Sequence, residues 1–247
     1  MTRVADEYRH APGPGDWEER YWFDLATPDL GVYARLSLRP FQGIAWWWAA
    51  LVRPGEALVA IRADDVRIPA AGTEIRTDGI WACVTCETPL EHWSVGLEAY
   101  GAAFDDPLEA WGSERGDLVP FGLDLEWEAI ESPLELTDGY AQECEVHGDV
   151  LLGPERIDVG AHGWRAHEWG APEGPGWRFA GSHGHWSGEG ADPARVDVGG
   201  LPVGTEVDGQ PAAILATSPV RMPGLRVVHG LYRTGGGASG WATWRTQ

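Results

Sequence analysis

Apolar and polar positions alternate with a period of two along most of the chain. In GVYARLSLRP, Val32, Ala34, Leu36 and Leu38 alternate with Tyr33, Arg35, Ser37 and Arg39; in FGLDLEWEAI, Phe121, Leu123, Leu125 and Trp127 alternate with Asp124, Glu126 and Glu128. One dry face and one wet face is the mark of antiparallel strands, because successive side chains point to opposite sides of a sheet. Further strands are expected over 44–52, 57–62, 74–84, 93–100, 139–151, 176–186, 211–217, 225–233 and 240–245. GIAWWWAALV departs from the alternation. Ile44, Trp46, Trp48 and Ala50 form one row and Ala45, Trp47, Ala49 and Leu51 the other, and both rows are apolar. Such a strand must be covered on both faces, as in a barrel wall with side chains or an apolar ligand inside and a second domain outside. The pattern predicts an all-β protein, with about a dozen short strands in a barrel, a sandwich, or two of these in tandem. GDWEERYWFD is expected to be an amphipathic segment leading into the sheets, packing Trp17, Tyr21 and Trp22. DDPLEAWGSERG, residues 105–116, reads as one short helix or a linker and divides the chain into expected domains 1–112 and 113–247.

Composition narrows the functional classes. With 247 residues, 43% of them hydrophobic, the chain has material for a sizeable core. The first thirty residues hold no basic stretch followed by an apolar run, and no apolar segment approaches the about 18 residues that span a bilayer. The 3 cysteines are too few for a disulfide framework, so a cytoplasmic location without membrane insertion is expected. A formal net charge of −20 argues against nucleic acid and anionic membrane surfaces as partners. All 18 basic residues are arginine, which excludes Schiff-base chemistry, pyridoxal phosphate and a Walker A lysine.

Candidate chemistry gathers in three stretches. In GWRAHEWG an extended backbone puts Arg165, His167 and Trp169 on one face and Trp164 and Glu168 on the other. An indole beside His167 lowers local polarity and tunes its proton affinity; the alternative is a closed corner with Arg165 stacked on the indole. In WRFAGSHGHW, Trp177, Phe179, Gly181, His183 and His185 share a face, and with Glu189 they spell H-x-H-x3-E, which resembles the first metal motif of cupins. His229 shares an apolar face with Leu225, Val227 and Leu231, as a core histidine or one turned to a cavity. In CVTCETPLEHW, Cys83 and Cys86 point to opposite faces of a strand and lack a second pair, whereas Glu87 and Glu91 lie beside Pro89 and Trp93, where apolar surroundings turn a carboxyl into an acid. The 15 tryptophans offer rigid pocket walls.

GYAQECEVHGDVLLG followed by GWRAHEWG resembles the carboxy-terminal lipocalin-like domain of the AttH-like group, which includes carotenoid 1,2-hydratases and some pericyclases. Tyr140, Gln142, Val146 and Gly148 carry the first part of the likeness, and His167, Trp169 and Gly170 the second. Ala166 stands where that group has an aspartate, and Glu168 fills a variable slot. The resemblance implies two consecutive lipocalin-like antiparallel β-barrels and a hydrophobic pocket near their junction. It also implies hydration, isomerisation or cyclisation of a lipophilic terpenoid- or polyketide-like substrate. Such chemistry needs a proton donor in a dry cavity and no cofactor or metal. The expected catalytic set is then His167, Glu168, His183, His185 and Glu87, with Trp46, Trp48, Trp93, Tyr140, Trp169, Trp177 and His229 around the substrate. Two alternatives stay open: a non-catalytic lipocalin-like carrier of a lipophilic ligand, which Ala166 favours, and a cupin-like metalloenzyme using His183, His185 and Glu189.

Overall fold

The fold is taken from a computed structural model that describes residues 2–111, 116–181, 184–189, 195–196, 202–203, 206–207, 210–222 and 224–247. It is all-β, with two antiparallel sheets. The first contains β1 (Glu18–Ala26), β2 (Gly31–Arg39), β3 (Ile44–Val52), β4 (Leu58–Arg67), β5 (Ile75–Thr77), β6 (Ile80–Thr88), β7 (His92–Phe104), β8 (Asp117–Ala129), β9 (Leu134–Leu136), β10 (Gly139–Leu152) and β11 (Glu155–Gly170). The second contains β12 (Gly176–Gly181) and β13 (Gly184–Glu189). After a short pair, β14 (Arg195–Val196) and β15 (Pro202–Val203), it resumes with β16 (Glu206–Val207), β17 (Gln210–Met222), β18 (Leu225–Thr234) and β19 (Ser239–Thr246).

Eight strands of the first sheet close into a ring, β1-β2-β3-β4-β7-β8-β10-β11 and back to β1. Closure comes from β4 on β7 at Leu58, Val59 and Ala60, and from β1 on β11, where Glu18 faces Gly170 and Ala26 faces His162. Leu36, Trp47, Trp93, Phe121 and Trp127 fill the interior, so the ring is a packed core. The second sheet is an open row, β13-β12-β19-β18-β17-β16, that curls into a half-barrel against the outside of the ring. Trp22, Tyr33, Trp46 and Trp48 from the ring meet Val227, Leu231 and Trp241 from the half-barrel in one buried seam.

The doubly apolar strand 44–52 is β3, with Trp47 inside the ring and Trp46 and Trp48 in the seam. One expectation needs correction, and one expected boundary can be placed on the strands. GDWEERYWFD is not a lead-in but holds most of β1, which joins β11 in the ring; Tyr21, Phe23 and Leu25 point inward while Trp22 packs outward under the second sheet, so burial on both faces erased the alternation. Pairing of β7 with β8 carries the ring across residues 105–116, where the chain forms a 3-10 turn at Pro107–Trp111. The division expected at 112/113 therefore falls within one closed sheet, and the chain changes sheet only after Gly170. Gly148 has φ +127, and a Cβ there would run into the Asp124 carbonyl oxygen of β8; glycine is required where β10 crosses so close.

Candidate active site

Two polar sites are built around β1 and β11, one at the mouth of the ring and one in the seam. At the mouth, the 3-10 turn Val4–Glu7 lies over the open end and sends Glu7 inward, 1% exposed. Its Oε1 accepts from the Tyr140 hydroxyl and from Arg165 Nη1 and Nη2, each at 3.3 Å. Its Oε2 accepts from Trp93 Nε1 at 2.6 Å and from the Leu90 amide at 3.1 Å. Burial pushes the Glu7 carboxyl up, but Arg165 and these donors outweigh it and hold it below the usual range. Arg165 also donates to Gln142, whose own amide bonds the Leu90 carbonyl at 3.0 Å. Leu90 sits at φ +63, a costly conformation for leucine that these two bonds sustain. Beside this network, Glu19 Oε1 bonds His10 Nδ1 at 2.8 Å and His167 Nε2 at 3.0 Å. Tyr21 stacks on His167 and Trp169 on His10. Burial pushes His167 down, against the pull of Glu19, and keeps its imidazole neutral.

In the seam, Asp24 points out of β1 between the sheets and accepts from Trp22 Nε1 at 2.6 Å and from the Trp164 amide at 3.2 Å. Burial outweighs these bonds and pushes its carboxyl up to about 7. His229, on β18, packs against Trp22 and Tyr33 with ring centroids 4.9 and 4.6 Å away. Its Nδ1 meets Thr243 Oγ1 at 2.9 Å, and its Nε2 is buried without a partner. Burial, reinforced by the charges of Arg35 and Arg178, holds this imidazole neutral, well below its usual range. Glu173 lies alongside, bound by Arg35 at 2.6 Å and Arg245 at 2.9 Å; burial opposes its charge, but the arginines hold it well below the usual carboxylate range. A cavity of about 10 Å³ among Trp22, Arg35, Arg178 and His229 has about the space one water needs. At the edge of the seam opens a groove of about 950 Å³, lined by Tyr33, Phe104, Trp111, Leu118 and Val220 together with Arg62 and Arg221.

An unfolded chain releases the Asp24 proton near 4, the folded chain at about 7. Between those values the folded state holds the extra proton, so stability from this group falls as pH rises through that window and stays reduced above it. Asp24→Asn is expected to gain on the wild type with rising pH. Its melting temperature relative to wild type, followed by circular dichroism, should be roughly 5 °C more favourable at pH 8 than at pH 5. An equal difference at both pH values would show that this carboxyl titrates normally.

The residues singled out from sequence are dispersed. His167, Tyr140 and Trp169 meet at the ring mouth, and Trp93 reaches the same network through Glu7. Glu168 points the other way and pairs with Arg178 at 3.1 Å, so β11 separates it from His167. Trp46 and Trp48 stack on each other in the seam, under Arg39 and Arg35. Trp177 packs beside the cluster of Tyr232, Ala242 and Trp244 on the half-barrel. His185 leans on Trp164, and burial pushes it down to about 3. Glu87 is exposed and accepts from Ser94. His183 and the Glu189 side chain lie outside the described residues. Sequence reasoning passed over Glu7, His10, Glu19 and Asp24. The last carried a faint signal, a lone acid inside the apolar run YWFDLA.

The fold and its two sites define an all-β protein with a packed ring and a curled half-barrel joined by a buried seam of tryptophan, arginine and carboxylate. The chain belongs to the family described as domain of unknown function (DUF7064), which matches residues 3–186. No curated protein matches it. Among solved structures it is similar to CghA, at 8% identity and a TM-score of 0.47, covering 94% of this chain and 88% of that one. It is similar also to CghA with Sch210972, at 10% identity and a TM-score of 0.45, covering 93% and 88%. Among the described residues no helix is long and apolar enough to cross a membrane.

Proposed function

We propose that the protein is a proton-transfer enzyme of the hydratase, isomerase or cyclase type, acting in the seam on a lipophilic small molecule with an acidic end and needing no cofactor. The observation that carries this reading is the groove of about 950 Å³ that abuts Tyr33, directly behind which lie Trp22, His229 and Asp24. A carboxyl at about 7 and an imidazole held neutral are two titratable groups whose surroundings push them in opposite senses, an arrangement suited to one acid and one base. Asp24 donates a proton to an alkene or carbonyl of the substrate. The faces of Trp22 and Tyr33 stabilise the positive charge that develops. The free Nε2 of His229 takes up a proton from the substrate or from an attacking water.

Arg221 and Arg226, the last stacked on Trp111, give the groove a basic rim in a chain of net charge −20, beside Arg62, which is paired with Asp64. That rim fits an acidic end on the ligand. The structure has one closed ring and an open half-barrel where two consecutive barrels were expected; the likeness of residues 138–170 to carotenoid 1,2-hydratases and pericyclases supports the same class of reaction. This reading keeps His229 from the sequence-derived set and moves the acid from His167 and Glu168 to Asp24. A cytoplasmic setting is part of the proposal, in keeping with three free thiols. Burial of Asp24 and His229, 2% and 1% exposed, favours a second reading, a carrier that leaves its ligand unchanged.

Binding of cis-parinaric acid, a fluorescent polyene carboxylate, tests the groove. The wild type is expected to bind it saturably and Arg221→Glu to bind it roughly tenfold less tightly or worse. Equal binding by the two proteins would remove the groove from the proposal. Incubation with a panel of terpenoid and polyene acids, followed by mass spectrometry, then tests chemistry: products from wild type that vanish in His229→Gln while binding persists support the enzyme. A ligand bound by the wild type but recovered unaltered across the panel leaves the carrier.

A further inference from the structure

The cluster at the ring mouth has no part in the seam chemistry, and its geometry points to a ligand of its own. We infer that His10, Glu19 and His167 form a mononuclear site for a divalent transition-metal ion, zinc foremost, which pins the amino-terminal segment to the ring. The three residues come from different parts of the chain: His10 from the segment over the ring mouth, Glu19 from β1, where it faces Trp169 of β11, and His167 from β11, where it faces Tyr21 of β1. Their donor atoms all lie within 4.8 Å of one another. In a tetrahedral shell with bonds of about 2.0–2.2 Å, donor atoms sit roughly 3.3–3.6 Å apart. His10 Nδ1 and His167 Nε2, at 2.8 and 3.0 Å from Glu19 Oε1 and within 4.8 Å of each other, reach that spacing with shifts of about an ångström or less in each donor. Two imidazoles and one carboxylate, with a position left open, is a ligand set that zinc accepts.

The second observation is an orphaned oxygen. Glu19 Oε1 takes three donors, the His10 amide at 2.9 Å and both imidazoles, while Glu19 Oε2 is buried with no partner among the described residues. Leaving a carboxylate oxygen dry and unsatisfied is costly. A cation between the two imidazoles draws on that carboxylate and relieves the crowding on one oxygen. The rings are already oriented, His167 by stacking on Tyr21 and His10 by stacking on Trp169 at 3.9 Å. His10 is the half-exposed wall through which an ion enters, its side chain 24% exposed against 2% for His167.

The test uses untagged full-length protein stripped with a chelator, dialysed, and titrated with Co2+ as a spectroscopic stand-in for zinc. One Co2+ per chain is expected, with visible absorption that Zn2+ abolishes, and a melting temperature raised by several degrees when Zn2+ is present. His10→Ala alters a residue outside both sheets and should fold as the wild type does, while binding Co2+ at least roughly 100-fold more weakly and losing the thermal shift. His185→Ala should behave as wild type, which separates this site from the H-x-H-x3-E stretch. Wild type with no Co2+ band, or His10→Ala with undiminished affinity, overturns the assignment and leaves a hydrogen-bonded triad only.

Discussion

Replacing Arg165 by methionine is expected to cost on the order of 3–5 kcal/mol of stability, because it strands a charge and does not merely remove a contact. Arg165 is 2% exposed and its guanidinium supplies the countercharge for Glu7, a bond to the Tyr140 hydroxyl at 2.8 Å and a bond to Gln142. Methionine fills much of the space but leaves the Glu7 carboxylate buried without a countercharge, with Trp93, Tyr140, Leu90 and the Cys86 thiol as donors. The pH dependence should reverse with it. In the wild type the Glu7 carboxyl lies below its unfolded value, so its contribution is present above the ordinary carboxylate range and is lost as pH falls through the folded value. Without Arg165 burial dominates and Glu7 prefers its proton, so the variant recovers part of its deficit on going from pH 8 to pH 5. Urea unfolding at both pH values measures this. The double variant Glu7→Leu with Arg165→Met should recover most of the lost stability, since the stranded charge is gone. A single variant less than about 1 kcal/mol below wild type, with no recovery at low pH, would mean that the plug is not held by this pair.

Trp241→Ala is expected to loosen the half-barrel from the ring at a cost of about 3–5 kcal/mol. Trp241 is 1% exposed, lies edge-on to Tyr33 at 5.4 Å and donates from Nε1 to the Leu25 carbonyl across the seam at 2.8 Å. The ring strand beneath it has given way to the indole: a Cβ on Gly31 would stand 2.7 Å from Cζ2 of Trp241. Truncation removes an indole wedged into the interface and leaves a hole that the surrounding packing fills only in part. Hydrogen exchange should show faster exchange in β18 and β19, with the ring around Trp47 and Trp127 still protected. Uniform exchange across both sheets, matching wild type, would show that the seam does not depend on this residue.

Much of the architecture was legible before any coordinates. The stretches 31–39 and 121–129 and the doubly greasy 44–52 are strands β2, β8 and β3, and the two buried faces of β3 do meet a packed interior and a second sheet; the face of β2 read as wet, with Tyr33, Arg35, Ser37 and Arg39, is buried instead. The face assignment within 163–170 also holds, with Arg165 and His167 inward and Trp164 outward. Of the residues that carried the family likeness, Tyr140 and Gln142 anchor Glu7 and Arg165, and Gly148 permits a close crossing.

What local pattern determined was which residues are strands and which side chains share a face, because both follow from the two-residue repeat of the pleated chain. Only the tertiary structure decided the rest: that β1 joins β11 far along the chain, that His167 therefore meets Glu19 and His10, and that Asp24 ends up dry on Trp22, against which His229 also packs. Periodicity carries no information on which distant strands become neighbours, and the chemistry of a carboxyl or an imidazole is set by those neighbours and by the loss of water.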